Sequence, residues 1–409
     1  MSSPSRELKI IIVGGGIAGL AAAVALRAVN RSITVIERSH MLRETGALIS
    51  LQPNAGKIVS SWGLDESLAQ FRPMIDKAFR VYDVAGNLVN DLKLDTTKYG
   101  ANRVIYHRQD IHQGLLAAAT SPDRPGRPAN VLTGRTVVVC DPEEGVVTLE
   151  DGESHRGDVI IGADGVRSAL REYIIGERRD TVPTGLSAYR MLLPSDSIAD
   201  ADSSLDVQDP VTTMVIGHDK RVVMGPGRGG DLYGIVALVP DDRMHEETAS
   251  NSWVTPGSLE ALLESFEGFA PWVLRIFEKA TDITRWQLRD LDPLQQWVRG
   301  RAILIGDAAH AMLPTQGQGA SQSVEDAEAL QAFLADLPSD PSKDDVHNAL
   351  SQVFEARFER CSTIQAYSRQ SAKPGTDSRS NTVVLNPEEF MDYNCRYNGA
   401  KEWATRKSS

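Results

Sequence analysis

Three separated stretches carry residues whose types and spacing could hold a dinucleotide. In the first, Gly14-Gly15-Gly16-Ile17-Ala18-Gly19, the residues Gly14, Gly16 and Gly19 fit G-x-G-x-x-G. Glycine at these places allows a tight turn, backbone approach to a pyrophosphate and close helix–strand packing. A helix starting there offers free N–H groups and a positive dipole end to phosphate. Glu37 follows 18 residues after Gly19. A carboxylate at that distance accepts from a ribose 2′-hydroxyl and repels a 2′-phosphate, so the expected resident ligand is FAD or NAD rather than NADP. The second stretch is Gly162-Ala163-Asp164-Gly165-Val166-Arg167-Ser168, with Arg171 beyond it. The third runs from Gly306-Asp307 through His310, Pro314 and Gly317-Gln318-Gly319 to Ala320. Asp307 can accept from sugar or ribityl hydroxyls. Backbone N–H groups at Gly317-Gln318-Gly319, opening a helix, can approach a ring carbonyl and stabilise a reduced flavin anion.

Each motif needs a strand to aim it. Leu8–Val13 is a short apolar run, an Ala-rich helix follows to Val29, and Ile33–Ile36 is a second β-branched run. Asp158–Gly162 and Arg301–Ile305 read as buried strands. All three motifs then stand at the C-terminal ends of strands, where open α/β sheets bind ligands. Residues 10–26 carry no charge and resemble a membrane span by hydropathy alone. Four glycines in six positions, Arg27 and the acid at Glu37 argue against stable membrane insertion.

Between the motifs, Met41–Ala47 reads as a turn or short helix and Leu48–Leu51 as a strand. A helix runs from Gln52-Pro53-Asn54 to about Trp62. Phe79–Val84 and Leu88–Leu94 flank the turn Ala85-Gly86-Asn87 as a β-hairpin. A helix through Ala119 takes Asp110 as its expected N-cap. From Thr181 to Arg285 strands dominate, with Ser258–Lys279 helical. Gly225–Gly230 precedes a strand rather than a helix, so it reads as a hairpin turn and no second dinucleotide fingerprint is present. Helices are expected from Ala320 to Leu334 and from Asp344 to Tyr367, and the polar tail has Phe390, Tyr393, Tyr397 and Trp403 as anchors.

Composition bounds the partners. Of 409 residues, 41% are hydrophobic and 24% charged, an ordinary globular balance long enough for two domains. A net charge of −12 disfavours nucleic acid and anionic lipid surfaces. Cys140, Cys361 and Cys395 show no metal-ligand spacing, and no metal site is expected. Met1–Arg6 leads straight into the first strand without a leader, so a reduced, cytoplasmic setting is expected.

Taken together, the three motifs resemble those of the group A flavin-dependent monooxygenases, the family of para-hydroxybenzoate and salicylate hydroxylases and of many fungal natural-product hydroxylases and epoxidases. The resemblance covers most of residues 8–335. Tyr106-His107-Arg108-Gln109-Asp110-Ile111 resembles the family's arginine segment. Ser187-Ala188-Tyr189-Arg190 resembles the start of its substrate domain, and Trp286-Gln287-Leu288 through Pro293-Leu294 its return to the FAD domain. The implied fold class is α/β: a Rossmann-like FAD-binding domain of the GR2 type, an inserted α+β substrate domain and a C-terminal helical segment. The expected FAD-binding parts are 1–75, 101–180 and 286–335. The substrate domain takes the hairpin 76–100 and residues 181–285, and 336–409 form C-terminal helices and tail.

The resemblance implies FAD as cofactor, with NADH or NADPH as transient co-substrate. Reduced flavin would take O2 to a C4a-hydroperoxide, which would hydroxylate, epoxidise or dearomatise a small aromatic or fused-ring metabolite in a site that excludes water. Glu37, Arg108, Asp164 and Asp307 are then expected to contact FAD directly or at one remove, with backbone contacts from Gly46, Ala47 and Ala320. Pro314 would sit over the flavin, Arg190 would hold a phenolate or carboxylate, and Tyr233 would orient a substrate hydroxyl. For Arg190 the competing reading is a surface ion pair, for Tyr233 sheet packing, and His310 reads as structural. Met191, Met224-Gly225 and Leu291 depart from the family pattern, the first two toward the substrate side. The expected molecule is a monomer or homodimer. A reductase of the same fold is the alternative within the enzyme class. A plain NAD dehydrogenase would leave Asp164-Gly165 and Gly306-Asp307 without a role.

Overall fold

The structure, a computed structural model, describes residues 6–40, 47–95, 97–199, 201, 206–241, 253–373 and 383–407. A six-stranded sheet runs in the order Val298–Arg299, Ala302–Leu304, Val159–Gly162, Leu8–Val13, Arg31–Glu37, Asn130–Thr133. All its pairings are parallel except the one at the Val298–Arg299 edge. Leu8–Val13 sits between strands that come later in the chain on both sides, so the strand order reverses there. The crevice at such a reversal is where doubly wound sheets bind nucleotides. Ile10, Ile11, Ile12 and Val13 are all buried, which is why this strand is continuously apolar rather than alternating. The Ile17–Ala25 helix follows and packs against the Gly319–Phe333 and Arg108–Thr120 helices.

A second sheet has eight strands, in the order Val254–Pro256, Thr284–Asp290, Val182–Pro194, Leu232–Pro240, Arg221–Gly227, Thr212–Ile216, Ala78–Tyr82, Leu88–Lys93. The early hairpin joins it through a parallel pairing of Ala78–Tyr82 with Thr212–Ile216. One face of this sheet carries Tyr189, Met191, Tyr233, Ile235 and Ala237 into a core shared with Phe266, Val273 and Phe277. The stretch expected as one helix from Ser258 to Lys279 is two, Leu259–Ser265 and Pro271–Phe277. Gly268 at φ +86° and Pro271 break it.

The Arg108–Thr120 helix takes His107, not Asp110, as its N-cap. Asp110 falls inside the first turn, is buried, and pairs with Arg228 across the molecule. The local pattern showed an acid near a helix start, but a long-range cation claimed it. At the C-terminal end, Lys343–Ala372 is a 30-residue helix opened by a Ser342/Asp345 capping box. Pro387–Cys395 and Ala400–Lys407 follow it. Among the described residues no helix is long and apolar enough to cross a membrane.

Candidate active site

The C-terminal ends of the six-stranded sheet and one face of the eight-stranded sheet enclose a cavity of about 1020 Å³. Gly14, Gly16, Ile17 and Ala18 line it where the first strand turns into its helix. Gly14 stands at φ +110°, and a Cβ there would lie 2.2 Å from the Ala163 carbonyl oxygen. A Cβ on Gly19 would lie 1.9 Å from the Gly14 oxygen. Backbone cannot yield to either, so both places demand glycine. Gly16 caps the Ile17–Ala25 helix without a side-chain hydrogen bond, and the first turn has no acid. The helix end therefore keeps its N–H groups and positive dipole for an anion.

The acids fall around this cradle. Glu37 lines the cavity and is fastened to the glycine loop: its Oε2 accepts from Gly15 N–H at 2.7 Å and its Oε1 from Ser39 N–H at 2.8 Å. The Oδ2 of Asp164 accepts from the N–H groups of Ala169 and Leu170. Its Oδ1 is buried with no partner among the described residues, and burial pushes its carboxyl above the usual range. Such an oxygen suits a ligand hydroxyl. Asp307 is exposed on the cavity wall. Arg171, buried, donates to the carbonyls of Ala308, Asp307 and Val166 and so ties the two acidic turns together.

Behind Asp307 lies a buried ionic core. Gly306 at φ +58° donates its N–H to Asp326 Oδ2 at 2.9 Å, and His310 Nε2 meets the same oxygen at 2.7 Å. Arg357 donates from Nε to Asp326 Oδ1 at 2.9 Å and also pairs with Glu325, which Arg360 holds from the other side. Burial opposes every one of these charges. His310 and Arg357 outweigh it at Asp326 and hold that carboxyl at about 2. At His310, burial is outweighed by Cys361 and Asp326, which raise the imidazole well above its ordinary value. His310, Asp326 and Cys361 bring candidate metal-ligand atoms within 4.8 Å of one another. Arg357 donates to both Asp326 and Cys361, so a guanidinium already supplies the positive charge there.

Pro314, Gly317, Gln318, Gly319 and Ala320 also line the cavity. Pro314 is exposed at the start of a 3-10 turn, Pro314–Gln316, and Gly317 stands at φ +60°. The Gln318 side chain turns into the ionic core, accepting from Asn54 and Gln322, each at 3.2 Å. Ala47 lines the wall and its carbonyl accepts from Arg108 N–H at 2.9 Å. Gly46 lies outside the described residues.

Arg190 and Tyr233 separate. Arg190 lines the cavity with its guanidinium 4.4 Å from the Trp286 ring centroid, and its Nε has no hydrogen-bond partner among the described residues. Burial and the nearby Arg108 push it down to about 10, so it stays a cation at neutral pH. Tyr233 does not reach the cavity. Its ring is 1% exposed in the core on the opposite sheet face, and burial raises its hydroxyl further. The expected substrate contact from Tyr233 is thereby corrected to core packing. Side chains alternate across a strand, and the register that pairs Arg190 with Val236 puts residue 233 on the other face.

Two groups of lining residues carried no motif. Arg103 reaches the wall from just before the Val104–His107 strand, paired with Asp76, bonded to Ser50 and Thr212, and stacked over Phe79. Tyr367, Phe390 and Met391 come from the C-terminal helices. The aromatic spacing of the tail was the available signal for Phe390. Its neighbours Tyr393, Tyr397 and Trp403 do anchor the tail, gathered around the Arg360 guanidinium at 4.7–5.3 Å.

A phosphate cradle opening into a second, sheet-walled chamber defines a dinucleotide-cofactor protein with room for a small second molecule. A family model described as FAD binding domain matches residues 7–358. The chain is 33% identical to the FAD-dependent monooxygenase cfoG of Aspergillus candidus, over 96% of this chain and 91% of that protein. It is 30% identical to hispidin-3-hydroxylase of Neonothopanus nambi, over 90% of this chain and 89% of that protein. The solved structure of a salicylate hydroxylase substrate complex superposes with a TM-score of 0.81 at 26% identity, covering 98% of both chains. The chain belongs to the FAD-binding-domain family of FAD-dependent monooxygenases.

Proposed function

We propose that this chain is an NAD(P)H-consuming monooxygenase that places one oxygen atom of O2 on a small phenolic or fused-ring aromatic metabolite. The observation that carries the reading is Arg190: a desolvated cation on the sheet face opposite the FAD cradle, stacked on Trp286. The acids that line the cavity are Glu37, Asp164 and Asp307, all at the cradle end. The eight-stranded sheet contributes Arg190 and Arg221 and no acid among the described residues. A chamber with that polarity favours a phenolate or carboxylate on an apolar ring. The relatives named for hispidin and salicylate support an aromatic substrate.

FAD, when bound, supplies the redox and oxygen-activating chemistry. The chain's own residues bind, orient and exclude water. Uncapped N–H groups at Gly16–Ala18 would take the pyrophosphate, Glu37 the adenosine ribose, and Asp307 the ribityl hydroxyls. Asp164 would offer its unpartnered oxygen to the same ligand, and Arg108, Ala47 and Ala320 would contact it directly or at one remove, as the sequence expects of Gly46. Pro314 would sit over the flavin with an apolar surface, and the Gln318 and Gly319 N–H groups would be left to approach it, since the Gly317 N–H donates to the Pro314 carbonyl. Arg190 holds the substrate oxygen and turns the ring toward the flavin. NADH or NADPH docks transiently. The three cysteines are free and buried, which suits a cytoplasmic setting.

The test is a visible spectrum of the purified protein, then NADH and NADPH oxidation under air with an oxygen electrode and a panel of phenols. Oxidised-flavin bands with phenol-stimulated oxygen uptake are expected. Flavin that is reduced without oxygen uptake for any phenol would overturn the monooxygenase and favour the reductase.

A further inference from the structure

We propose that the Pro387–Cys395 helix is the specificity wall of the substrate chamber, with Phe390 and Met391 setting how many fused rings it admits. This rests on the reading above that the chamber beyond the FAD cradle takes an aromatic ring. Val81, Met214, Ile216, Val223 and Val236 line the cavity from the eight-stranded sheet. Phe390, Met391 and Tyr367 line it from the C-terminal helices. A pleated apolar face and an aromatic wall form a slot, and a slot selects flat molecules by thickness and length.

The wall is stiff. The Tyr367 and Phe390 rings stack at 3.6 Å with an interplanar angle of 10°, and Phe390 is buried. Asn386 closes a capping box at the helix start, with Pro387 in the first turn. At the other end Arg360 donates to the carbonyls of Tyr393 and Asn394, and Lys57 to that of Cys395. Two cations thus satisfy the negative end of the helix. Between the ends, Asp392 pairs with Lys98 and accepts from the Tyr99 hydroxyl. A wall held at both ends and the middle cannot swing aside for a larger ring, so its side chains determine the fit.

The wall is also separate in the chain from the cradle. The last expected FAD contact is Ala320, and these side chains come about seventy residues later. Substitution here changes the slot without touching the glycine loop, Glu37, Asp164 or Asp307.

The probes are phenol and 2-naphthol, titrated against oxidised holoenzyme and read by quenching of flavin fluorescence, with no reductant present. Widening the slot by Phe390→Ala or Met391→Ala should shift the ratio of dissociation constants toward 2-naphthol by about tenfold, the scale at which small volume changes discriminate in apolar pockets. Met391→Phe should shift it the other way. FAD affinity should stay within about twofold in all three. An unchanged ratio in every variant overturns the proposal. So does equal weakening of both probes, which marks a merely structural helix, and so does wild-type holoenzyme that binds neither. Met391 is half-buried and keeps the test open if Phe390→Ala fails to fold. Because only binding is read, failure of the wall is distinct from failure of the monooxygenase reading, which shows as absent oxygen uptake.

Discussion

Arg190 and Tyr233 sit on adjacent strands of one sheet, yet only the arginine meets the chamber. Replacing Arg190 with methionine keeps an unbranched apolar stem and removes both the charge and the guanidinium stacked on Trp286. FAD content should stay normal, and phenolate affinity should fall by about tenfold to a hundredfold, the range for a charge-assisted hydrogen bond of about 1.5–3 kcal/mol. Flavin-fluorescence titration with a phenol and its methyl ether checks this, since the ether should be indifferent to the substitution. Tyr233→Phe makes the opposite prediction. The hydroxyl bonds Thr213 inside the core, so turnover should be unchanged while stability falls by about 1 kcal/mol in urea unfolding. A large loss of turnover in Tyr233→Phe with normal folding would return that residue to the site.

At the scale of elements, the first strand, glycine turn and helix act as one part. Gly19 lets the helix approach the turn so closely that a methyl group would overlap the Gly14 oxygen. Gly19→Ala should push the helix from the strand, cost about 1–3 kcal/mol and release FAD. Flavin-to-protein absorbance after gel filtration and a thermal melt measure both effects. Full flavin occupancy would show that the loop can shift without losing the pyrophosphate. The Arg108–Thr120 helix shows the limit of local signals. Asp110 has the residue type of a cap and the right neighbourhood, but Arg228 lies 118 residues away and the pair is made only in the folded chain.

At the scale of the whole molecule, the buried ionic core joins the Gly319–Phe333 and Lys343–Ala372 helices and props up the Asp307 turn. The Asp326 carboxyl is depressed to about 2, so its contribution to stability is complete above about pH 4, the unfolded value, and is lost as pH falls through about 2. His310 is raised, so its contribution is complete below about pH 6.5 and fades only as pH rises through its higher folded value. The pair is intact between these limits. Asp326→Asn should cost about 3–5 kcal/mol by leaving buried cations without their counter-charge. The lead of wild type over the variant, measured as melting temperature against pH, should be level from about pH 4 to 6.5. The lead should shrink as pH rises from about 6.5 toward the higher folded value of His310, and a lead unchanged over that range would mean that Asp326 does not hold the imidazole protonated.

The cradle was legible in sequence because each of its parts is local. G-x-G-x-x-G, the strand before it and the acid after the next strand are fixed by short-range geometry, and Asp164-Gly165 and Gly306-Asp307 follow strands that are apolar throughout. Net charge and cysteine spacing constrained partners without any fold at all. The chamber was not legible in the same way. Its wall is built from one face of a sheet whose strands come from residues 78–93 and 182–290, plus a helix near the end of the chain. Which of Arg190 and Tyr233 turns inward depends on strand pairing across tens of residues, and a pleat inverts with every position. Arg103, Tyr367 and Phe390 belong to no motif, and only packing brings them to the same space as Arg190. Cofactor binding reads short spacings that a sequence displays, whereas the substrate chamber is a volume, and volume exists only once the chain has closed around it.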